Sequence, residues 1–191
     1  MADEASDQEL VRRSVEGDRF AFASLIRRHE RRVYNLAYRI LGREEDARDA
    51  TQDAFLTAMR KLASFRGDAA FTTWMHRVTV NACYDLLRKR KREPSLGLPE
   101  DVDTGDRQPD HAEATATAVD VQRALLRVPI EFRTPLVMHD VQDLAYEQIA
   151  EIVGVPVGTV KSRIHRGRVA LARALGERRG APRPSEERTI Q

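Results

Sequence analysis

Apolar residues recur every three or four positions in successive blocks of this chain, the period of amphipathic helices. A short block predicts a helix over 8–15, capped by Asp7 and ended by Glu16-Gly17-Asp18. A longer block follows over Arg19–Leu41, with Phe22, Leu25, Ile26, Val33, Leu36, Ala37, Ile40 and Leu41 on one stripe. Arg27, Arg28, Arg31 and Arg32 fall on its wet side, and Gly42 ends it. The third block, 44–63, opens with Glu44, Glu45 and Asp46, acids that suit the positive end of a helix dipole. Its apolar set is Ala50, Ala54, Phe55, Ala58, Met59 and Leu62. Asp49, Gln52, Asp53 and Leu56 share another face, which reads either as a solvated surface or as a polar-rimmed partner surface. A loop over 64–71 (SFRGDAAF) leads to a fourth helix, 74–92, with Thr72 or Thr73 as its cap. That helix carries Trp74, Val78, Val80, Ala82, Leu86 and Leu87, and ends in five consecutive cations, Arg88-Lys89-Arg90-Lys91-Arg92.

The pattern then breaks. Residues 93–117 hold three prolines, two glycines, seven acids and one arginine, a net charge of −6 (seven minus one). Such a stretch has too little apolar surface to fold alone and reads as a flexible acidic linker. The helical period returns near Ala118, with Val121, Ala124, Leu125 and Val128 in one helix ended by Pro129. Another follows over 130–141 with Phe132, Leu136 and Val137 inward, and with Pro135 expected within its first turn. The stretch 143–175 then gives a short helix (Ile149, Ile152, Val153), the turn Gly154-Val155-Pro156, and a second helix from about Val157. Val160, Ile164, Gly167, Leu171 and Ala174 form the inner stripe of that second helix. Its other face carries Lys161, Ser162, His165, Arg166 and Val169, with Arg163 and Arg168 on the flanks. A short helix, a glycine turn and a helix with a basic face make a helix-turn-helix. The expected architecture is all-α: two small helical bundles, 7–92 and 118–176, joined by the linker 93–117 and followed by a disordered tail, 177–191.

Composition narrows the function by exclusion. With 6% aromatic residues and 41% hydrophobic residues in 191, the cores are expected to be aliphatic and small. The net charge of +2 does not announce nucleic acid; the local clustering of cations does. One cysteine, Cys83, allows no internal disulfide and reads as a small core residue. No run is apolar enough to span a bilayer, and the acidic N-terminus is no signal peptide, so a cytoplasmic protein is expected. Phosphate-binding loops, dinucleotide turns and nucleophile elbows are absent from the sequence. His76 and Cys83 are too few for a zinc site. The acids Glu44, Glu45, Asp46, Asp49 and Asp53 lack the companion Lys or His motif of a magnesium nuclease. Neither an enzyme, a cofactor, a metal nor a small-molecule substrate is expected.

Taken in order, YNLAYRILG, DARDATQDAF, SFRGDAAFTTWMHRVTVNACYDLLRKRKR and LLRVPIEFRTPLVMHDVQDLAYEQIAEIVGVPVGTVKSRIHRGRVAL resemble the extracytoplasmic-function (ECF) sigma factors of the sigma-70 superfamily, over about residues 7–175. The resemblance implies a bacterial transcription initiation subunit that binds core RNA polymerase and directs it to promoter DNA, and it implies an anti-sigma factor as regulator. It implies a region-2 bundle that docks on the polymerase clamp through Asp49, Gln52, Asp53, Phe55 and Leu56. The same bundle would read the melted −10 element with the loop residues Phe65, Arg66, Gly67 and Asp68, the amide of Asn81, and Arg77, Arg88 and Lys89 on phosphates. It implies a region-4 bundle whose recognition helix reads the −35 duplex with Lys161, Ser162, His165 and Arg166, while Thr159 and Arg163 touch phosphates. The linker would run through the polymerase cleft. Ala145 stands where the family often has a serine N-cap. The alternative is a two-domain helix-turn-helix regulator that binds DNA alone; the polymerase-facing acids and the polybasic helix end argue for the initiation subunit.

Overall fold

A computed structural model of the chain describes residues 5–65, 67, 69–92 and 112–179, with the side chains of 112–117 and 177–179 excepted. Most of the acidic linker, the C-terminal tail from 180, Arg66 and Asp68 lie outside the described residues. Among the described residues there are eight α-helices: α1 Asp7–Val15, α2 Arg19–Leu41, α3 Glu44–Lys61, α4 Phe71–Arg92, α5 Ala112–Arg127, α6 Ile130–Asp140, α7 Tyr146–Val153 and α8 Val157–Arg179. A 3-10 turn, Leu62–Ser64, follows α3.

The capping chemistry explains most boundaries. Ser6, one residue before Asp7, caps α1 through its hydroxyl, which accepts from Glu9 N–H at 3.2 Å. The expected cap, Asp7, is used elsewhere: its carboxylate takes Arg28 at 2.7 Å and His29 at 2.8 Å, tying α1 to α2. Asp18 caps α2 by accepting from the N–H groups of Phe20 and Ala21. Gly42 ends α2 at φ 86°, a left-handed conformation that suits glycine. Helix α4 begins at Phe71, three residues before the expected start, so neither Thr72 nor Thr73 is its cap; Thr73 is buried. Helix α5 begins at Ala112, inside the stretch expected to be linker, because the alternating alanines of AEATATA favour helix. Pro135 lies in the second turn of α6, contrary to expectation, and is buried there. Helix α8 runs through Gly176 to Arg179, since one exposed glycine costs a helix only about 1 kcal/mol.

Two cores hold these helices. The first lies inside the α1–α4 bundle and contains Leu10, Leu25, Val33, Phe55, Leu62, Phe71 and Met75. The second is shared. It joins Leu36, Ile40, Val80 and Cys83 of the first bundle to Leu125, Leu136, Met138, Ile149, Val160 and Ile164 of the second. The two bundles therefore dock on each other. Cys83 is fully buried in this shared core, where desolvation pushes its thiol up to about 12, the behaviour of a packing residue.

Polar contacts line the junction. Arg133 of α6 donates to the carbonyls of Ile40 at 2.7 Å, Val128 at 3.1 Å and Leu126 at 3.3 Å. Gln122 of α5, buried, donates to Tyr38 carbonyl at 2.9 Å and accepts from Arg39 at 3.1 Å. Leu126 packs so tightly on Gly42 that a Cβ there would stand 2.4 Å from its Cδ1. Gly167 allows the same closeness between α8 and α6, where a Cβ would meet Phe132 carbonyl at 3.0 Å.

Two expectations follow. Replacing Leu126 with Asp inserts a charge against Gly42; small-angle scattering should show a larger radius of gyration, while far-ultraviolet dichroism stays helical. His76 is buried with no hydrogen-bond partner on either ring nitrogen. Burial first, then the charges of Arg32 and His29, push its pKa down to about 4 from 6.5. The folded chain thus refuses a proton that the unfolded chain accepts between about pH 6.5 and 4. Its stabilising contribution is complete above pH 6.5 and is lost as pH falls through that window. Denaturant midpoints should drop between pH 7 and 5, and the drop should be smaller in His76→Leu.

Candidate nucleic-acid and partner interface

Three surfaces carry the residues singled out from the sequence. The first is the outer face of α3. Asp49, Gln52 and Asp53 are exposed, and Leu56 is 37% exposed. Met59, expected to point inward, is instead 54% exposed and extends this face by one turn. Phe55 is buried, yet it lines a shallow groove of about 470 Å³ between α2 and α3 with Gln52, Arg27, Glu30, Arg31, Tyr34 and Arg48. An apolar centre of Leu56 and Met59 inside a rim of acids and an amide has the anatomy of a protein contact. Met59 escaped the periodicity argument because its position borders both faces.

The second surface runs from the loop after α3 onto α4. Phe65 is half-buried and packs edge-on to Phe71 at 5.8 Å and tilted to Trp74 at 5.4 Å. Phe71 and Trp74 contact each other at 5.6 Å, and the His29 ring lies tilted against Phe71 at 5.2 Å. The result is an aromatic wall beneath a loop whose Gly67 takes φ 78°. Arg66 and Asp68 of this loop lie outside the described residues. Asn81 is exposed one turn beyond Arg77 on α4. Arg77 donates to Glu151 carbonyl at 2.9 Å, placing a cation at the negative end of α7 and spanning the two bundles.

The polybasic end of α4 divides by role. Arg90 pairs with Asp46 of α3, a carboxylate whose side chain is only 6% exposed. Burial raises the Asp46 pKa, and Arg90 opposes that rise. Asp46 was legible as a first-turn acid, but its ion pair needed the fold. Arg88 meets Asp85 at 2.9 Å in water, a weak pair, and Lys89, Lys91 and Arg92 are exposed.

The third surface is α8. Lys161, Ser162, His165 and Arg166 are exposed on one face, with Thr159 and Arg163 half-buried at its edges. Val160, Ile164 and Gly167 are buried on the opposite side. Gly154 turns the chain between α7 and α8 at φ 68°. Without a serine cap, α7 keeps half of a capping box: Gln148 Oε1 accepts from Ala145 N–H at 3.0 Å. Lys161 Nζ sits 5.4 Å from the Tyr146 ring and Arg166 Cζ 5.9 Å from the Phe132 ring, contacts that steady both cations. Arg168 is held by Asp140 at 2.6 Å and is committed to the fold. Among the described residues, no cluster of three or more His, Cys, Asp or Glu side chains is arranged to hold a metal, and no helix is long and apolar enough to cross a membrane.

A helix-turn-helix bundle beside a bundle with a polybasic helix end fits a nucleic-acid-binding protein, and comparison with known proteins gives the family. Residues 25–93 match the family Sigma-70 region 2, and residues 118–171 match Sigma-70, region 4. The chain is 46% identical over 173 residues to the ECF RNA polymerase sigma factor SigM of Mycobacterium tuberculosis, covering 91% of this chain and 86% of that one. It is 34% identical over 182 residues to the ECF RNA polymerase sigma-E factor of Escherichia coli, covering 90% and 95%. The chain belongs to the ECF sigma factors of the sigma-70 family. Its fold is shared with the sigma factor RpoE of Bartonella quintana, solved with the anti-sigma factor NepR, at a TM-score of 0.70, 24% identity and coverage of 81% and 96%. CnrH, solved with the cytosolic domain of CnrY, shares it at a TM-score of 0.68, 24% identity and coverage of 90% and 97%.

Removing Arg90 strands a buried carboxylate. Arg90→Ala should lower unfolding free energy by about 3 kcal/mol in denaturant titration. The double change Asp46→Leu with Arg90→Met should recover most of that loss.

Proposed function

We propose that this sigma factor binds core RNA polymerase through the α3 face, reads a melted −10 element with the aromatic loop and α4, and reads a duplex −35 element with α8. The observation that carries the reading is the pairing of an exposed acidic and apolar face on α3 with an exposed cationic face on α8, within a chain whose two bundles match sigma regions 2 and 4. Asp49, Gln52, Asp53, Leu56 and Met59 meet the polymerase clamp, with Phe55 behind them. Phe65, Gly67 and Asn81 hold an unstacked base, Arg77, Arg88 and Lys89 hold phosphates, and Arg66 and Asp68 belong to the same −10 loop in the sequence. Lys161, Ser162, His165 and Arg166 face base edges in the major groove, while Thr159 and Arg163 face its phosphates.

Geometry adds a requirement. Elements centred about 25 base pairs apart lie roughly 85 Å from each other along B-form DNA. A compact body of this length has a radius of gyration of about 16 Å, so it spans about 40 Å. The docked bundles therefore cannot read both elements at once. Residues 93–111 can reach at most about 65 Å when fully extended, enough to let the bundles separate. The docked form is the resting state, and polymerase binding draws the bundles apart. RpoE of Bartonella quintana was solved with the anti-sigma factor NepR, and CnrH with the cytosolic domain of CnrY. By the same reading an anti-sigma factor holds this chain closed, and the chain works in the cytoplasm, where the polymerase is.

Run-off transcription with core polymerase on a promoter library tests the reading. The reconstituted holoenzyme should start at a defined promoter set that core polymerase alone does not use. Arg166→Ala should cut promoter-specific product at least tenfold while co-purification with core is retained. Met59→Asp should weaken co-purification instead. Start sites no different from those of bare core would overturn the proposal.

A further inference from the structure

The two bundles together build a cavity of about 890 Å³, in the size range of small-molecule sites. On α2 it is lined by Arg28, Arg31, Arg32, Asn35, Tyr38 and Arg39, which makes an arginine groove about 16 Å long. Val141 and Gln142, at the corner after α6 in the second bundle, complete its wall. The free, docked chain therefore presents a compartment of limited length that belongs to neither bundle alone.

Its charges do not balance. Four arginines line it against two carboxylates, Asp7 and Glu44, a surplus of +2 (four minus two). His29 also lines it but adds no charge at neutral pH, because burial, the largest influence, lowers its pKa below the usual histidine value. The arginines are unequally engaged. Arg28 is held by Asp7 at 2.7 Å, and Arg39 by the neutral amide of Gln122 at 3.1 Å. Glu44 is taken by Arg48 at 3.1 Å. Arg31 and Arg32 are exposed and form no ion pair among the described residues. Neighbouring guanidiniums with donors to spare suit a chain of phosphates, which each can grip in bidentate fashion.

The rest of the lining suits something flat and partly polar. Tyr34 and Tyr38 stack with ring centroids 6.2 Å apart and 9° between planes, and both line the groove. Val141, 45% exposed, adds an apolar side chain to the same wall. The amides of Asn35 and Gln142 can each donate to and accept from a heterocycle edge. A single phosphate or carboxylate would leave the rings and amides unused. We infer that this groove binds a nucleoside triphosphate, with its phosphates on Arg31 and Arg32 and its base against Tyr34, Tyr38 and Val141. The site is complete only while the bundles are docked, and a ligand that favours one of two states shifts the population toward it. The nucleotide thus acts as an effector that holds the chain closed and opposes polymerase, a consequence that rests on the closed resting state proposed above.

The test titrates the free full-length protein with ATP, inorganic triphosphate and adenosine by isothermal calorimetry. ATP should bind at one site, and the other two should each bind about tenfold more weakly or worse. Arg32→Glu should weaken ATP about tenfold or more, since it replaces a charge-assisted contact with a repulsion. Leu126→Asp, which opens the junction, should weaken ATP by a similar factor. Gln142→Glu, outside the apolar core, should do so from the second bundle without opening it. No ATP binding by the wild type, or binding indifferent to Arg32→Glu, would overturn the inference. Inorganic triphosphate binding as well as ATP would overturn the nucleoside part, and full ATP affinity in both Leu126→Asp and Gln142→Glu would overturn the shared site. In an assembly assay with labelled chain and core polymerase, ATP should weaken complex formation by the wild type and not by Arg32→Glu. Unaffected assembly with ATP bound would overturn the effector role and leave the site. Start sites no different from those of bare core, with ATP binding intact, would overturn the promoter reading instead.

Discussion

At the apolar junction between the halves of this protein, one buried guanidinium bonds to backbone from both sides. Arg133 sits in the shared junction, where desolvation pushes its pKa down to about 10, still well above neutrality. Burying a cation costs several kcal/mol unless its donors are met. Here they are met by carbonyls from two helix ends: Ile40 near the end of α2, and Leu126 and Val128 near the end of α5. Helix ends carry partial negative charge and unpaired carbonyls, so one cation satisfies two deficits together. Gln122 adds a second donor to the Tyr38 carbonyl, which also accepts from Gly42 N–H at 2.8 Å. The last turn of α2 is thus completed by residues more than eighty positions away.

That arrangement suits a junction that must release. Carbonyls at a helix end are readily hydrated, and a freed arginine regains water. Undocking therefore exposes the apolar contacts of Leu125, Leu136 and Ile40 but strands no polar group in a dry interior. The first bundle keeps its own core around Leu25, Phe71 and Met75, so it retains a framework when the second leaves. The buried pair Asp46 and Arg90, inside the first bundle, belongs to the fixed part of the structure.

Helix α2 sets the layout around this junction. Its 23 residues present an inward stripe to both cores, one flank to the groove shared with α3, and the other flank to the arginine groove. Arg31 and Tyr34 border both grooves. A helix lined by arginines with few carboxylates beside it among the described residues carries a local positive potential. The small net charge of +2 hides this, because the opposing acids are concentrated in the linker and on α3.

Helix content, the helix-turn-helix, the exposed faces of α3 and α8 and the family were legible along the chain. Each depends on spacing over one or two turns, or on an ordered set of motifs. Errors fell where a side chain had a choice of partner. Asp7 looked like a cap and became a tether to Arg28 and His29, because Ser6 stood one residue earlier to take the cap. Arg90 looked like part of a cationic tail and became a structural ion pair. Met59 looked like core and lies outside, since periodicity does not fix which side of a stripe's edge is covered. Sequence by itself determined the elements and their faces, for these follow from local periodicity and capping. Only the tertiary structure decided that Leu126 sits on Gly42, that Arg133 closes the end of α2, and that Arg31 and Arg32 share an uncompensated groove. Those facts depend on contacts between residues far apart in the chain, and no spacing rule encodes them.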